Sequence, residues 1–323
     1  MKKILNVTIP CRDNVTSTTL YVQIVYKNEG DLQNKPYIMM LPGGPGANHS
    51  YYKDYDCLQE EANIVYYDPR GCGLSDKGSP STYTMSNYIE DVHYIVKEAL
   101  LLEQVILLGK SYGAMCALGY ALRYPTFVSK LILAAGSPSN ENLETAKLNV
   151  LSKGTEAQQK ICEILFDGSF QNNEHVIEYF QVMDTFYSWK KRHNEPVNRP
   201  QPIYPYAFEP LNEGFRTKFW NFNFVEQLHT IQCSTLILVG DEDWITDPKH
   251  SKLMAEKIPN SILKIFEKSD HSMESDVPEQ FFNIIRQFVA QNISLQNNKT
   301  LFFNKKKNEH SINHLECEKN NLN

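Results

Sequence analysis

Gly109-Lys110-Ser111-Tyr112-Gly113 is a G-x-S-x-G pentapeptide, and its surroundings add to its weight. It follows the apolar run Val105–Leu108 and opens a stretch with helical spacing, Ala114–Arg123. That is the layout of a nucleophile elbow, a turn so tight that small residues must flank the serine. The turn lifts the hydroxyl above a sheet edge and puts a helix N-terminus behind it. A serine hydroxyl is a poor nucleophile and needs a base, which an acid must orient. For such an elbow the expected chain order is Ser, then Asp, then His. Downstream, Gly240-Asp241-Glu242-Asp243 leaves an apolar run, and Asp243 is the preferred acid. Asp241, as a turn former, and Asp247, as the N-cap before Pro248, are the competing candidates with structural roles. Of nine histidines, only His271 sits in a polar loop just past a late strand and before the final helix, so it is the expected general base. Acyl transfer also builds charge on the carbonyl oxygen, which needs preorganised donors. The backbone N–H of Tyr112 is one. The second is assigned to Gly44 within Pro42-Gly43-Gly44-Pro45-Gly46, because Pro45 has no N–H.

These residues need a scaffold of strand exits. Ile4–Ile9 and Leu20–Tyr26 read as an N-terminal hairpin, and Pro36–Leu41, Asn63–Tyr67, Val105–Leu108 and Leu131–Ala135 as continuous apolar strands. Ser86–Leu101 and Ala114–Arg123 carry helical spacing between them. The alternation resumes with strand Thr235–Val239, helix Pro248–Ile258, strand Ile262–Phe266 and helix Pro278–Gln291. Apolar strands alternating with amphipathic helices mean an α/β fold with a mostly parallel sheet covered on both faces. Between Tyr179 and Phe224 there are 13 aromatics in 46 residues, more than twice the density implied by the 11% of the whole chain. The expectation is a helical, aromatic-rich cap inserted over the strand ends. The resulting division is a core of residues 1–136 and 230–292, a cap of 137–229, and a polar, disordered tail of 293–323.

Composition narrows the function classes. With 32 basic and 38 acidic residues the chain carries a net charge of −6, which argues against a nucleic-acid or anionic-membrane surface. The basic run Lys305–Lys307 lies in the polar tail. No apolar run approaches the ~20 residues of a membrane span, and Asn6 and Thr8 interrupt any leader-like start. The 7 cysteines are odd in number, scattered, and form no C-x-x-C pair, so no metal site or redox motif is indicated and a reducing, cytoplasmic setting is expected. No cofactor is expected.

Gly43-Gly44-Pro45-Gly46, Asp68-Pro69-Arg70-Gly71-Cys72-Gly73-Leu74-Ser75 and the serine pentapeptide together resemble the proline iminopeptidase family of α/β-hydrolases, peptidase family S33. The spacing to Asp243 and to Asp270-His271-Ser272 is similar too, so the resemblance spans roughly residues 35 to 290. In the family the first box is usually H-G-G-P-G and the second D-Q-R-G-x-G-x-S; here Pro42 and Pro69 stand at the differing positions. The resemblance implies the α/β-hydrolase fold and release of N-terminal residues, often proline, from peptides. It also implies glutamates on the cap that neutralise the substrate's α-amino group. Asn212-Glu213 is similar in position to such a pair in the related tricorn-interacting aminopeptidase. That relative has a second glutamate directly after the triad aspartate, where this chain has Trp244; Glu209 is the candidate substitute. The expected function is therefore a serine aminopeptidase acting on short peptides. An esterase, lactonase or amidase taking a small acyl substrate is the alternative on the same scaffold. A non-catalytic binding protein would need a broken triad.

Overall fold

Side chains alternate faces along a strand, so each buried strand must be covered twice. In the computed structural model, which describes residues 1–10, 17–216 and 221–290, this is how the sheet is built. The strands are β1 (Lys2–Ile9), β2 (Thr18–Val25), β3 (Tyr37–Leu41), β4 (Asn63–Tyr67), β5 (Val105–Lys110), β6 (Val128–Ala134), β7 (Ser234–Gly240) and β8 (Ser261–Phe266). They form one sheet in the order β1-β2-β4-β3-β5-β6-β7-β8. The expected hairpin is β1 against β2, antiparallel with Ile4 opposite Gln23, and β2 runs antiparallel to β4. From β4 to β8 every pairing is parallel. The chain passes from β3 to β4 on one side, then crosses to β5 on the other. The loops leaving β3 and β5 therefore diverge, which opens the crevice where ligands of such sheets bind.

The helices are α1 (Met85–Tyr94), α2 (Tyr112–Arg123), α3 (Asn142–Lys153), α4 (Glu156–Asp167), α5 (Asn173–Val182), α6 (Phe208–Arg216), α7 (Pro248–Lys257) and α8 (Pro278–Ala290). Met39, Leu41, Leu107, Leu133 and Ile237 pack toward α1, α2 and α7. Their neighbours Ile38, Met40, Ile106, Leu108, Leu236 and Leu238 pack toward α8 and the segment His49–Glu60. The second cluster continues into Leu143, Val150, Leu165, Val176, Leu211 and Phe215, so the inserted helices share a core with the sheet.

Two elements differ from the expectations. His49–Glu60 is a 3₁₀ segment, where no element was expected; its buried apolar residues Tyr52, Tyr55 and Leu58 recur every third position, the 3₁₀ period rather than the α-helical one. The helix expected over 86–101 ends as an α-helix at Tyr94 and passes into a wide π turn, Ile95–Ala99. Ile95 and Val96, the first two residues of that turn, are both fully buried. The tail expected to be disordered, with Lys305–Lys307 and Cys317, lies outside the described residues, as does Cys11.

Between β6 and β7 the chain runs through α3 to α6 and two short helices, Asp184–Tyr187 and Trp189–Arg192. Asp276, in the short helix Met273–Asp276, fastens this segment down. Its carboxylate accepts from Ser188 Oγ at 2.5 Å, from the Trp189 and Lys190 amides at 3.0 and 3.2 Å, and from the Asp270 amide at 2.9 Å. Ser272 N–H donates to Tyr187 O at 2.9 Å. The loop that carries His271 is thus hydrogen-bonded directly to the inserted helices.

Candidate active site

Ser111 is the single residue between β5 and α2, and it stands at φ +56°, ψ −122°. A side chain held there stores ~1–3 kcal/mol of strain, which the surroundings must over-determine. They do so closely. A Cβ on Gly109 would overlap the Gly113 carbonyl, and one on Gly113 would overlap Leu41 O, so neither position admits a side chain. Ser111 N–H donates to Ala134 O at 2.8 Å, which ties the turn to β6. The Tyr112 ring points away into the core against Tyr88, leaving only its backbone N–H, at the start of α2, for the site.

The loop after β3 lies over this turn. A Cβ on Gly43 would come within 3.2 Å of Ser111 Cβ. The Gly43 amide is already taken, donating to the Tyr52 hydroxyl at 2.6 Å. Gly44 follows at φ +117°, a conformation that side chains rarely adopt, and it lines the same cavity as Ser111.

Asp243 and His271 meet across the exits of β7 and β8. His271 Nδ1 lies 2.8 Å from Asp243 Oδ2. Asp243 is buried and well supplied with donors: Ile245 N at 3.0 Å, Thr246 N at 2.9 Å and Thr246 Oγ1 at 2.7 Å. Burial alone would raise its pKa, but the charge and hydrogen bond of His271 and those from Thr246 bring it down to about 2. The other two candidates are occupied elsewhere. Asp241 accepts from Ser269 N at 3.2 Å, and Asp247 caps α7 by accepting from Lys249 N at 2.9 Å. A second aspartate flanks the histidine. Asp270 accepts the His271 N–H at 3.0 Å and pairs with Arg192 at 2.7 Å. Burial and the charge of Asp243 push Asp270 up to about 8 against the pull of Arg192.

Ser111, Gly44 and His271 line one cavity of about 580 Å³. Its walls mix polar and apolar residues and include the aromatics Tyr51, Tyr52, Tyr179, Phe180, Tyr187, Tyr206 and Phe215. Phe180 links Tyr187 and Tyr206 at ring separations of 5.5 and 5.0 Å, and Tyr187 stands edge-on to His271 at 5.6 Å. Glu213 and Glu209 are not brought to this cavity. From α6 only Leu211 and Phe215 line it, and Glu213, about 200° around the helix from Leu211, falls on the opposite face. Glu213 is 3.5 Å from Arg216, and Glu209 is 3.7 Å from Lys77. The carboxylates that do line the cavity are Asp184 and Glu274, paired with Lys191 at 3.3 Å and Lys110 at 3.0 Å. Trp244 is buried edge-on to Phe186 and Tyr187, each at 5.6 Å. Among the described residues no group of three or more His, Cys, Asp and Glu could hold a metal ion.

A family model described as the alpha/beta hydrolase fold matches residues 36–273. A proline iminopeptidase, PfmaB, of Pestalotiopsis fici is 31% identical over 257 residues, covering 78% of this chain and 90% of that protein. The chain belongs to the proline iminopeptidase family of α/β-hydrolases. It is a hydrolase enzyme. A proline iminopeptidase of Saccharolobus solfataricus is 28% identical, covering 84% of this chain and 89% of that one. In fold it is similar to an alpha/beta fold family hydrolase from Bacillus anthracis, with a TM-score of 0.68, 18% identity, and 88% and 98% of the two chains covered.

In this hydrolase the second family box is a brace. Asp68 accepts from His49 N at 2.7 Å and from Leu74 N at 2.8 Å, and Ser75 Oγ donates to Asp68 O at 2.6 Å. Arg70 grips Asp91 of α1 through two bonds of 2.8 and 2.5 Å, both groups buried. Sequence reasoning passed over Lys110, Glu274 and Arg199, a charge cluster beside the serine in which Lys110 and Glu274 are buried and Arg199 is partly exposed. Burial alone would raise Glu274, but Lys110 and Arg199 hold it below its ordinary value. The readable signal was a lysine closing an otherwise apolar strand, where a charge needs a partner.

Proposed function

We propose that the protein is a serine hydrolase in which Ser111 is the nucleophile, His271 the general base and Asp243 its orienting acid. The N–H groups of Gly44 and Tyr112 stabilise the oxyanion. The single observation that carries this reading is the 2.8 Å His271–Asp243 hydrogen bond opening into the cavity that the strained Ser111 also lines. His271 takes the hydroxyl proton as Ser111 Oγ attacks the acyl carbon, and returns it to the leaving amine. Water, deprotonated by the same imidazole, then attacks the acyl carbon, and the imidazolium returns that proton to Ser111 Oγ as the bond to the acyl group breaks.

The finer reading is an aminopeptidase that releases N-terminal residues from short peptides. It is supported by the names of the relatives and by the inserted residues Tyr179, Phe180 and Tyr206, which line the cavity beside Ser111 and give a short peptide end apolar surface to pack on. The described cysteines Cys57, Cys72, Cys116, Cys162 and Cys233 are free thiols, which supports a cytoplasmic setting. A second reading, an esterase, lactonase or amidase for a small acyl group, is favoured by one observation. The expected amine anchors Glu213 and Glu209 lie off the cavity, and both carboxylates lining it are paired with lysines. A panel pairing free-amine prolyl and alanyl anilides with their N-acetyl counterparts and short acyl esters decides between them. An aminopeptidase hydrolyses the free amines and rejects the acetylated forms; equal rates on both overturn that reading. Fluorophosphonate labelling that survives Ser111→Ala overturns the choice of nucleophile.

A further inference from the structure

Lys110 occupies the variable position before the serine and is the last residue of β5. Its side chain is 7% exposed, and a buried ammonium without partners is untenable. The partners are specific. Its Nζ donates to the carbonyl oxygen of His271 and lies 3.0 Å from Glu274 Oε2. Glu274 follows His271 by three residues and is buried as well. Its other oxygen faces Arg199 Nη1 at 3.8 Å, and Arg199 is anchored to Tyr51 O at 2.7 Å with Asp54 at 3.6 Å. The residue beside the nucleophile thus holds the main chain of the base, and the acid that neutralises it comes from the short helix that directly follows the base.

We propose that Lys110 and Glu274 are positioning residues for the hydrolysis: together they clamp the Ser111 turn to the His271 loop, and their opposed charges balance the potential at the imidazole. The proposal rests on Ser111 as nucleophile and His271 as base. The charged and titratable groups that face His271 from each side are few. Asp243 and Thr246 approach Nδ1 from the loop after β7, at 2.8 and 3.4 Å. Asp270 accepts the His271 N–H and is backed by Arg192 and by Asp276. Tyr187 presents its ring from the cap side. Lys110 comes from β5, and Glu274, with Arg199 behind it, from the short helix after the loop.

The signs separate clamping from mere structural support. Lys110→Met leaves the Glu274 carboxylate, which favours imidazolium, so His271 loses its proton only at higher pH. Glu274→Gln leaves the Lys110 ammonium, which disfavours imidazolium, so the base is freed at lower pH. The readout is the pH dependence of the second-order rate at which a fluorophosphonate probe labels Ser111, which requires no knowledge of the natural substrate.

The acid limb should move up for Lys110→Met and down for Glu274→Gln, by about half a unit or more. The plateau rates should fall about 10- to 100-fold through lost alignment. The double variant should return the limb to the wild-type position while keeping a slow plateau, and Lys110→Arg should recover most of the rate. Limbs that stay in place, or move together, overturn the proposal even if the melting temperature falls. Should Lys110→Met fail to fold, Glu274→Gln, Lys110→Arg and the double variant still decide it. Ser111→Ala and His271→Ala are the controls for the underlying reading. Labelling that persists in either overturns that reading; labelling lost in both, with limbs unmoved in the Lys110 and Glu274 variants, overturns this inference alone.

Discussion

The strand exits and the inserted helices face each other across one cavity, and they were legible to different degrees. Ser111, Gly44, Asp243 and His271 all lie within a few residues of a strand's C-terminal end, and the structure gathers three of them around the cavity with Asp243 behind His271. Glu213 and Glu209, on α6, are turned elsewhere. A strand exit has little freedom. Parallel register with its neighbours sets where it ends, and alternation sets which way it faces. A helix lying on a surface can rotate, and its rolled position is decided by which side chains bury best. On α6, Leu211, Phe215 and Asn212 win that contest. Asn212 bonds both Phe170 N, at 3.0 Å, and Phe170 O, at 2.8 Å, which leaves Glu213 facing Arg216.

The largest expected effect tests the strand-exit side. His271→Ala or Asp243→Asn should lower kcat by about 10⁴ with the fold intact, while Asp241→Asn and Asp247→Asn stay within about tenfold of wild type. Steady-state kinetics with circular dichroism measures this; an Asp247→Asn variant worse than Asp243→Asn would reverse the choice of acid.

The next effect tests the join between the two regions. Asp276→Ala strands four donors that now end on one buried carboxylate, from Ser188, Trp189, Lys190 and Asp270. A loss of about 3 kcal/mol or more is expected in urea unfolding, together with loss of activity. An unchanged midpoint would mean the two regions are held together by apolar packing alone.

A smaller effect compares the two aspartates beside the histidine. Asp243, held at about 2, contributes stability that is present above the ordinary carboxylate range and is lost as pH falls through about 2. Asp270, raised to about 8, has the opposite sign: wild-type stability declines as pH climbs from the unfolded value of about 4 toward 8. Asp270→Asn should therefore gain in melting temperature relative to wild type between pH 5 and 8, by a few degrees. A difference that is flat with pH would show that Arg192 keeps Asp270 ionised throughout.

The smallest effect is expected on α6. Glu213→Gln should change kcat/KM for a free-amine anilide by less than about threefold, because Glu213 lies off the cavity and its i,i+3 pairing with the exposed Arg216 contributes little. A loss of 30-fold or more would mean that substrate binding turns Glu213 into the cavity and would restore it as the amine anchor.

What the sequence determined by itself was everything written in local chemistry. The glycines at 109 and 113 could be read as demanded by a tight turn, and the structure gives the reason in the Gly113 and Leu41 carbonyls that a side chain would strike. The apolar strands and their helices could be read from period and composition, because burial on two faces leaves that pattern in any parallel sheet. Pro248 after Asp247 marked a helix start, and α7 begins there. The 3₁₀ segment over 49–60 was not read, because Tyr52, Tyr55 and Leu58 recur every third residue and not at the α-helical or strand period. Tertiary structure alone decided which charges meet. The bond from Lys110 to His271, the pairing of Lys110 with Glu274, and the approach of Arg199 to Glu274 join residues that are 161, 164 and 75 positions apart. It also chose Asp243 over Asp241 and Asp247 as the partner of His271. All three share one short loop, and only the packed positions of β7 and β8 put one of them within hydrogen-bonding distance of the imidazole.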